Sequence, residues 1–352
     1  MEQHRYTPQA LIDFSAQVLD KAGMDERLAH VVAQVLVEAD LLGHTTHGLA
    51  LLASYAAEVQ NGSMKASGAQ RVLSDKGAAV LWDGERLPGP WLVCQAIDEL
   101  LPRARKFGSA TLVIRRSHHI ACLASYLMRA VEQDMLIVLA SSDPAGQSVA
   151  PFGGTQAVFT PNPIAAGIPA SSPLLIDISA SVTTNGMCSR MAKQGEQFDE
   201  EWLIDAHGNP TRDPKVLFDT PSGTILPVGG LAAGHKGYGL ALLVEALTGG
   251  LAGYGRADGA EGWGATVFIS LYDTVGFAGK EEFLRQMDFL ADQCRSNPPR
   301  PGVEAVRVPG DRGLALRKAF MKEGLVLHEG IEPALRELAE KYDLDFPLTG
   351  TK

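Results

Sequence analysis

Two histidines enclose a pair of threonines in the stretch GHTTHG, and this spacing is the first feature that suggests chemistry. His47 follows Thr46, and a neighbouring hydroxyl can hold one tautomer of an imidazole that titrates near neutral pH, which suits a general acid/base. His44 and His47 are also spaced so that both can bind one metal ion, although the motif H-E-x-x-H is absent. A polar helix end with histidines that cap backbone carbonyls is a third interpretation.

A second candidate group is RRSHHIA, residues 115–121. It follows an apolar strand pattern and precedes a helical pattern, and loops at the carboxyl ends of strands often carry ligand-binding groups in α/β proteins. Arg115, Arg116, His118 and His119 are therefore expected to attract an anionic substrate. A charged surface turn is the alternative.

The glycine-rich stretch GGLAAGHKGYGL, residues 229–240, is a candidate anion site. Glycines let a backbone approach a ligand, and helix N-terminal amides together with Lys236 favour phosphate. A flexible loop that leads into a core helix would have the same composition. Neither common phosphate-binding motif is present, because no glycine pair spaced by two has the third glycine of G-x-G-x-x-G, and Gly279-Lys280 is followed by Glu281.

The apolar pattern indicates which elements position these groups. Apolar residues recur at three- and four-residue steps from Leu28 to Leu42, which predicts a helix with Asp25 as its N-cap and Gly43 at its end. From about residue 71, short apolar runs alternate with Gly/Pro turns and helical stretches, the texture of an α/β fold. Strands are predicted in AAVLWDG, ATLVIRRS, MLIVLASS, AVFTPNPIAAGIP, PLLIDISAS and TVFISLYD, and helices at 91–106, 121–133 and 237–248.

Helical patterns return after Gly279, in EEFLRQMDFLADQCRS and at 314–323 and 332–342. We therefore expect helical segments 1–70 and 281–352 to pack together as one mainly helical domain that flanks an α/β domain at 71–280. The α/β domain is predicted to bind cofactor and substrate.

Composition excludes several classes of protein. The chain has 352 residues with 31 Lys+Arg against 41 Asp+Glu, a formal charge of −10 that does not favour nucleic acid or an anionic membrane. Apolar residues make up 45%, as in ordinary globular proteins. The start lacks the apolar core of a signal peptide and the four cysteines lie far apart, so we expect a cytoplasmic protein with reduced thiols.

Taken together, these segments resemble the malate/L-lactate dehydrogenase family of the second type. In order along the chain, ADLLGHTTHG resembles A-D-L-x-G-H-x-S-H-G, RRSHHIA an S-x-H-F loop, and VAPFGGTQAVFTPNPIAAGIP a P-x-G-G stretch with G-T-N-P. LIDISAS resembles D-M-A-T-S, GNPTRDP resembles G-x-P-T-x-D-P, GGLAAGHKGYGL resembles G-G-x-K-G-Y-G-L, and VRVPGDRG resembles R-x-P-G-E.

The resemblance implies an oxidoreductase that uses NAD or NADP on small 2-hydroxy, 2-oxo or cyclic imino acids. It also implies a homodimer and a cofactor fold without the Rossmann glycines, with a mixed sheet. Carried over residue by residue, it assigns catalysis to His47, Thr46 and His119. Cofactor contacts are assigned to Leu174, Leu175, Ile176, Asp177, Ile178, Ser179, His235, Lys236, Gly310, Asp311 and Arg312; no residue is assigned to a resident metal.

Departures from the family pattern bear on the substrate. Leu51 stands where the family commonly has an arginine, Ser141-Ser142 replaces T-N, and Pro161 replaces a threonine. Without that arginine a second carboxylate would lack a partner, so we expect a monocarboxylate, held by Arg115, Arg116 or Arg190. Two other functions remain open: a metal-dependent hydrolase that uses His44 and His47, and a cofactor-binding relative without catalysis.

Overall fold

The computed structural model describes residues 4–348, so the ends of the two terminal segments predicted above lie outside the described residues. None of the described helices is long and apolar enough to cross a membrane. The helices are α1 (Pro8–Lys21), α2 (Glu26–Leu41), α3 (Leu52–Gln60), α4 (Gly89–Phe107), α5 (Ala124–Val131), α6 (Asn185–Gln194), α7 (Gly230–Ala233), α8 (His235–Glu245), α9 (Lys280–Arg295), α10 (Asp311–Glu323) and α11 (Ile331–Tyr342).

A mixed seven-stranded sheet forms the centre of the fold, in the order β1-β2-β3-β10-β4-β5-β6. Only β2 and β3 pair in parallel, and the other neighbours are antiparallel. Its strands are β1 (Arg71–Asp75), β2 (Ala79–Asp83), β3 (Ser109–Ser117), β4 (Met135–Ser142), β5 (Ile164–Ile168), β6 (Leu174–Ile178) and β10 (Ala265–Asp273). A smaller sheet, ordered β8-β7-β9, joins β7 (Leu203–Ile204), β8 (Pro210–Thr211) and β9 (Thr224–Ile225).

Strand β10 lies in the middle of the sheet although it comes last along the chain. Its residues are buried from Ala265 to Leu271, and it pairs with β3 on one side and β4 on the other. A nearly continuous apolar run is what a strand covered on both faces requires. The predicted mixed α/β fold is confirmed.

The two ends of the chain contact each other. The backbones of Tyr6 and Leu325 exchange hydrogen bonds of 3.0 and 2.8 Å, and Tyr6 and Phe14 both pack edge-on against Phe346. One apolar core joins α1–α5 and α11 to the inner strands of the sheet. The division into domains at residues 70 and 280 stays a prediction.

Local departures from the predicted elements have physical causes. The stretch AVFTPNPIAAGIP forms a strand only over β5, because Pro161 and Pro163 have no N–H for a ladder and Asn162 has a left-handed φ of 46°. Helix α5 begins at Ala124 rather than at residue 121, where Ala121 also has a positive φ. Strand β1, helix α6 and the small sheet were not predicted.

Candidate active site

The end of α2 and the loop that follows it set the position of both histidines of GHTTHG. Asp25 caps the helix through Arg27 N and Leu28 N as predicted, and Gly43 ends it with a left-handed φ of 86°. Buried Asp40 then accepts the Leu49 N–H at 2.6 Å, which ties the far side of the loop back to the helix. A side chain at Gly48 would lie 2.2 Å from Asp40 Oδ2, so this contact requires glycine.

His47 is half-buried and has one hydrogen-bonded ring nitrogen. Its Nδ1 lies 2.9 Å from Thr46 Oγ1, and Nε2 has no hydrogen-bond partner among residues 4–348. Burial, with the nearby charges of His44 and Arg190, lowers the pKa of His47 to about 4. The ring is therefore neutral at pH 7 when no ligand is bound.

His119 faces His47 across the site. The two ring centroids are 6.1 Å apart, and His119 also stacks on Trp263 with ring centroids 4.4 Å apart. Its Nδ1 lies 2.9 Å from Tyr55 Oη and accepts the Ala121 N–H at 3.3 Å. Burial keeps its pKa well below the ordinary value, so the neutral ring carries its hydrogen on Nε2 and is a hydrogen-bond donor.

Helix α6 packs its first turn against Thr46 and His47. A side chain at Gly186 would lie 3.5 Å from Thr46 Cβ and 3.8 Å from His47 Cε1. One turn further, Arg190 Nη1 donates to Thr45 Oγ1 at 3.0 Å and Nη2 to Thr45 O at 2.9 Å. An unpredicted helix therefore places a guanidinium beside the candidate catalytic histidine.

His44 points to a different group of side chains. One ligand atom each of His44, Cys122 and Asp177 lies within 4.8 Å of the others. Asp177 Oδ2 accepts the Ala124 N–H at 2.8 Å and lies 3.6 Å from Cys122 Sγ. This trio does not include His47, so the two histidines of GHTTHG face different neighbours.

The candidate cofactor residues gather around strand β6, at the edge of the large sheet. Leu174 and Leu175 are buried in apolar clusters, Ile176 is half-buried, and Ile178 is 50% exposed. Gly310 approaches this strand closely, because a side chain there would lie 2.7 Å from Leu175 N. At the other end, a side chain at Gly237 would lie 2.6 Å from Ala180 O, so the start of α8 reaches the end of β6.

These residues fit a nucleotide cofactor by the chemistry of their free groups. His235, Lys236 and Arg312 are exposed. Neither Lys236 nor Arg312 is paired with an acidic group among residues 4–348, so both can face phosphate. Asp177 Oδ1 has no partner there either and can accept a ribose hydroxyl. Asp311 is less available, since Arg295 and Val308 N occupy its oxygens, and Ser179 Oγ donates to Ser181 O.

Two arginines expected to attract substrate are occupied elsewhere. Arg115 Nε contacts Asp83 at 3.1 Å, and Arg116 contacts Asp83 at 2.7 Å and Glu85 at 3.1 Å. Asp83 is fully buried, and a buried carboxylate needs these cations. These ion pairs make Arg115 and Arg116 less available to a substrate, and which arginine holds the substrate stays a prediction.

Sequence reasoning missed Tyr55, Trp263 and Cys122, which surround the histidines without belonging to a motif. Helix α6 was detectable by its ends: Thr184 caps it by accepting the Met187 N–H, and Gly195 closes it with a φ of 71°. Its residues are polar on average and only Cys188 is fully buried, which is why the apolar pattern alone did not identify it.

The protein is a mixed α/β fold in which His47 and His119 lie close together and the candidate cofactor residues surround β6 without the Rossmann glycines. A model of the malate/L-lactate dehydrogenase family matches residues 6–336. The chain belongs to this family, as its motifs indicated, and is an oxidoreductase of the nicotinamide-dependent class.

Three relatives illustrate the range of the family. The malate dehydrogenase of Pyrococcus horikoshii is 29% identical over 345 residues, covering 95% of this chain and 94% of its own. Its structure superposes with a TM-score of 0.87 at 26% identity, over 99% and 98% of the two chains. The L-lactate dehydrogenase of Cupriavidus necator is 30% identical over 91% of this chain and 93% of its own. A Δ1-piperideine-2-carboxylate reductase from Pseudomonas syringae pvar. tomato has a TM-score of 0.78 at 28% identity, over 95% and 99%.

Proposed function

We propose that this protein transfers a hydride between NAD(P) and a small 2-oxo or 2-hydroxy acid, with His47 as the group that moves the proton. The observation that carries the proposal is the pairing of His47 Nδ1 with Thr46 Oγ1, which leaves Nε2 without a partner among residues 4–348 while the ring of His119 lies 6.1 Å away. The bound cofactor supplies the hydride chemistry at the 2-carbon of the substrate.

His47, Thr46 and His119 handle the proton. In oxidation, neutral His47 accepts the hydroxyl proton on Nε2, and Thr46 Oγ1 then accepts a hydrogen bond from Nδ1–H of the imidazolium. In reduction the imidazolium returns that proton. An anionic substrate beside His47 favours the protonated ring, so proton uptake is coupled to substrate binding. His119 contributes a neutral Nε2–H donor, held in orientation by Tyr55 and Trp263.

The cofactor is held around β6. Lys236 and Arg312 would neutralise its phosphates from the two ends of the strand, and Asp177 Oδ1 would accept a ribose hydroxyl. The other candidate cofactor residues are proposed to contact the cofactor through their backbone and by packing. The choice between NAD and NADP is part of the test below.

A substrate panel tests the proposal. Purified protein is assayed with NADH and with NADPH against 2-oxo acids and cyclic 2-imino acids, by loss of nicotinamide absorbance. Turnover with at least one of them, lost in His47→Asn, is the expected result. Cofactor binding by fluorescence without turnover on any substrate would favour a non-catalytic relative. A stoichiometric metal at His44, with hydrolytic activity, would favour the hydrolase.

A cyclic 2-imino acid is the second candidate substrate. The structural neighbour from Pseudomonas syringae is named as a reductase of such a compound, and Leu51 replaces a cation by an apolar group. His47 would perform the same proton transfer at a ring nitrogen.

We also propose that the protein is a homodimer that works in the cytoplasm. The support for a dimer is the outer face of α8 and the π-helical turn after it, where Leu242, Leu243 and Leu251 are 48%, 49% and 57% exposed. A helix that is apolar on its exposed face as well as its buried one is typical of an interface.

A further inference from the structure

Arg190 is a half-buried cation with no acidic partner among the residues that the structure describes. It lies on the same face of α6 as Gly186, four residues earlier, and that face contacts Thr46 and His47. Its charge is one of those that lower the pKa of His47, which locates it beside the proton-transfer group. A guanidinium held out of water in this way favours an anionic ligand.

The hydrogen bonds of Arg190 leave one side of the guanidinium free. Nη1 contacts Thr45 Oγ1 at 3.0 Å and His328 Nε2 at 3.4 Å, and Nη2 donates to Thr45 O at 2.9 Å. An arginine has five N–H donors, so Nε–H and one hydrogen of Nη2 have no acceptor in the described chain. Two parallel donors of this kind match the two oxygens of one carboxylate.

The described segment 45–51 around His47 contains no Lys or Arg for a second carboxylate. Arg115 and Arg116 are paired with Asp83, and Leu51, one turn beyond His47, packs its side chain against the main core. Asp40, buried behind the loop, adds negative charge near Arg190 without a direct ion pair. A second substrate carboxylate near His47 would lose its hydration without gaining a partner.

We propose that Arg190, fixed by Thr45 and His328, is the binding subsite for the single carboxylate of a 2-oxo or 2-imino monocarboxylic acid with an apolar body. The proposal rests on the proposed function and specifies its substrate class. It assigns Arg190 to binding and leaves proton transfer to His47.

The test compares Arg190→Gln and Arg190→Lys with the wild type and with Lys193→Gln, which removes an exposed charge from the same helix. Binding of 2-oxobutanoate and of its uncharged amide to the protein with bound NADP or NAD is measured by calorimetry. KM and kcat are then measured for the substrate that turns over.

Arg190→Gln is expected to weaken 2-oxobutanoate binding and raise KM by at least about tenfold, the scale of lost charge-assisted hydrogen bonds. The amide should bind equally to both proteins, since it makes no ion pair. Arg190→Lys should recover only part of the loss, and Lys193→Gln should match the wild type. Cofactor affinity should be unchanged in all of them.

Equal losses for the acid and the amide would show that Arg190 only supports the loop, and unchanged binding in Arg190→Gln would refute the subsite. Because binding is measured directly, these results stand even if the panel shows no turnover, which would contradict the proposed function alone. In the wild type, 2-oxobutanoate should exceed oxaloacetate in kcat/KM by at least about tenfold. Oxaloacetate as the better substrate would overturn the monocarboxylate class.

Discussion

The Nδ1 of His47 lies 2.9 Å from Thr46 Oγ1, and its Nε2 has no hydrogen-bond partner among residues 4–348. His47→Asn should lower turnover by about 10²-fold or more, because general acid/base catalysis contributes ~10² to 10⁴. Cofactor affinity should stay nearly intact. Thr46→Val should cost less, since it only orients the ring, and His44→Asn should be milder than His47→Asn. Steady-state kinetics with cofactor titration checks all of these, and an essential His44 with a dispensable His47 would reverse the assignment.

The pKa of His47 also predicts the pH dependence of each direction. Burial is the main cause, and nearby charge the second, that lowers the pKa of His47 to about 4. The neutral ring, which acts as the base, therefore predominates from pH 5 upward. We expect kcat/KM for oxidation to be level from about pH 6 to 8 and to fall only as the pH approaches 4. Reduction uses the protonated ring, so its kcat/KM should decline as pH rises over the same range. An oxidation profile with its midpoint near the ordinary histidine value of 6.5 would contradict this.

Asp40 makes a prediction about stability. Burial raises its pKa to about 7, despite the Leu49 N–H and the charge of Arg190. A carboxyl whose pKa is raised by folding stabilises the fold below its ordinary value near 4, and this contribution is lost as pH rises through about 7. Asp40→Asn keeps an acceptor for Leu49 without the charge. The Tm of Asp40→Asn minus that of the wild type should therefore be more positive at pH 8 than at pH 5. The exposed Asp292→Asn should show no such trend, and a pH-independent difference for Asp40→Asn would disprove the argument.

At the scale of elements, the start of α8 brings Lys236 to the end of β6. If Lys236 holds a cofactor phosphate, Lys236→Ala should weaken cofactor binding by roughly 1.5 to 3 kcal/mol, the scale of a charge-assisted hydrogen bond. The fold should survive because the side chain is exposed. Fluorescence titration measures the affinity, with Lys76→Ala on the turn between β1 and β2 as the control. Unchanged affinity would mean that the glycine-rich stretch serves packing.

The elements differ in how far the sequence predicted them. Helix α2 has a regular apolar face and a capping aspartate, so its course and its glycine end were predictable. Helix α6 buries only Cys188 outright, and its contacts with the loop that holds Thr45 are made by single residues. A helix with so few apolar residues is hard to recognise from apolar periodicity alone.

At the scale of the whole molecule, the exposed apolar surface along α8 predicts that the protein associates with a second copy of itself. We expect a dimer by analytical ultracentrifugation at micromolar concentration. Leu243→Glu should shift the protein to monomer, because a charge would be desolvated in the interface. Val72→Glu, at an exposed apolar residue on the edge strand β1, is the matched control and should leave the dimer intact. A monomeric wild-type protein would contradict the proposed dimer.

The sequence alone was sufficient for the family, the reaction class and most helices and strands. These follow from local patterns: apolar periods, caps and short motifs such as GHTTHG that survive without knowledge of the fold. The pairing of His47 with Thr46 was suggested by their adjacency in the motif, and the loop conformation brings Nδ1 and Oγ1 to 2.9 Å.

Only the tertiary structure decided which residues from distant parts of the chain share the site. Arg115 and Arg116 are near the histidines in sequence, but the buried carboxylate of Asp83 takes both of them. Arg190 meets Thr45 across 145 residues of chain and His328 across 138, and Trp263 reaches His119 from just before β10. A charge binds whichever partner lies within a few ångströms in space, and the order of residues along the chain does not contain that distance.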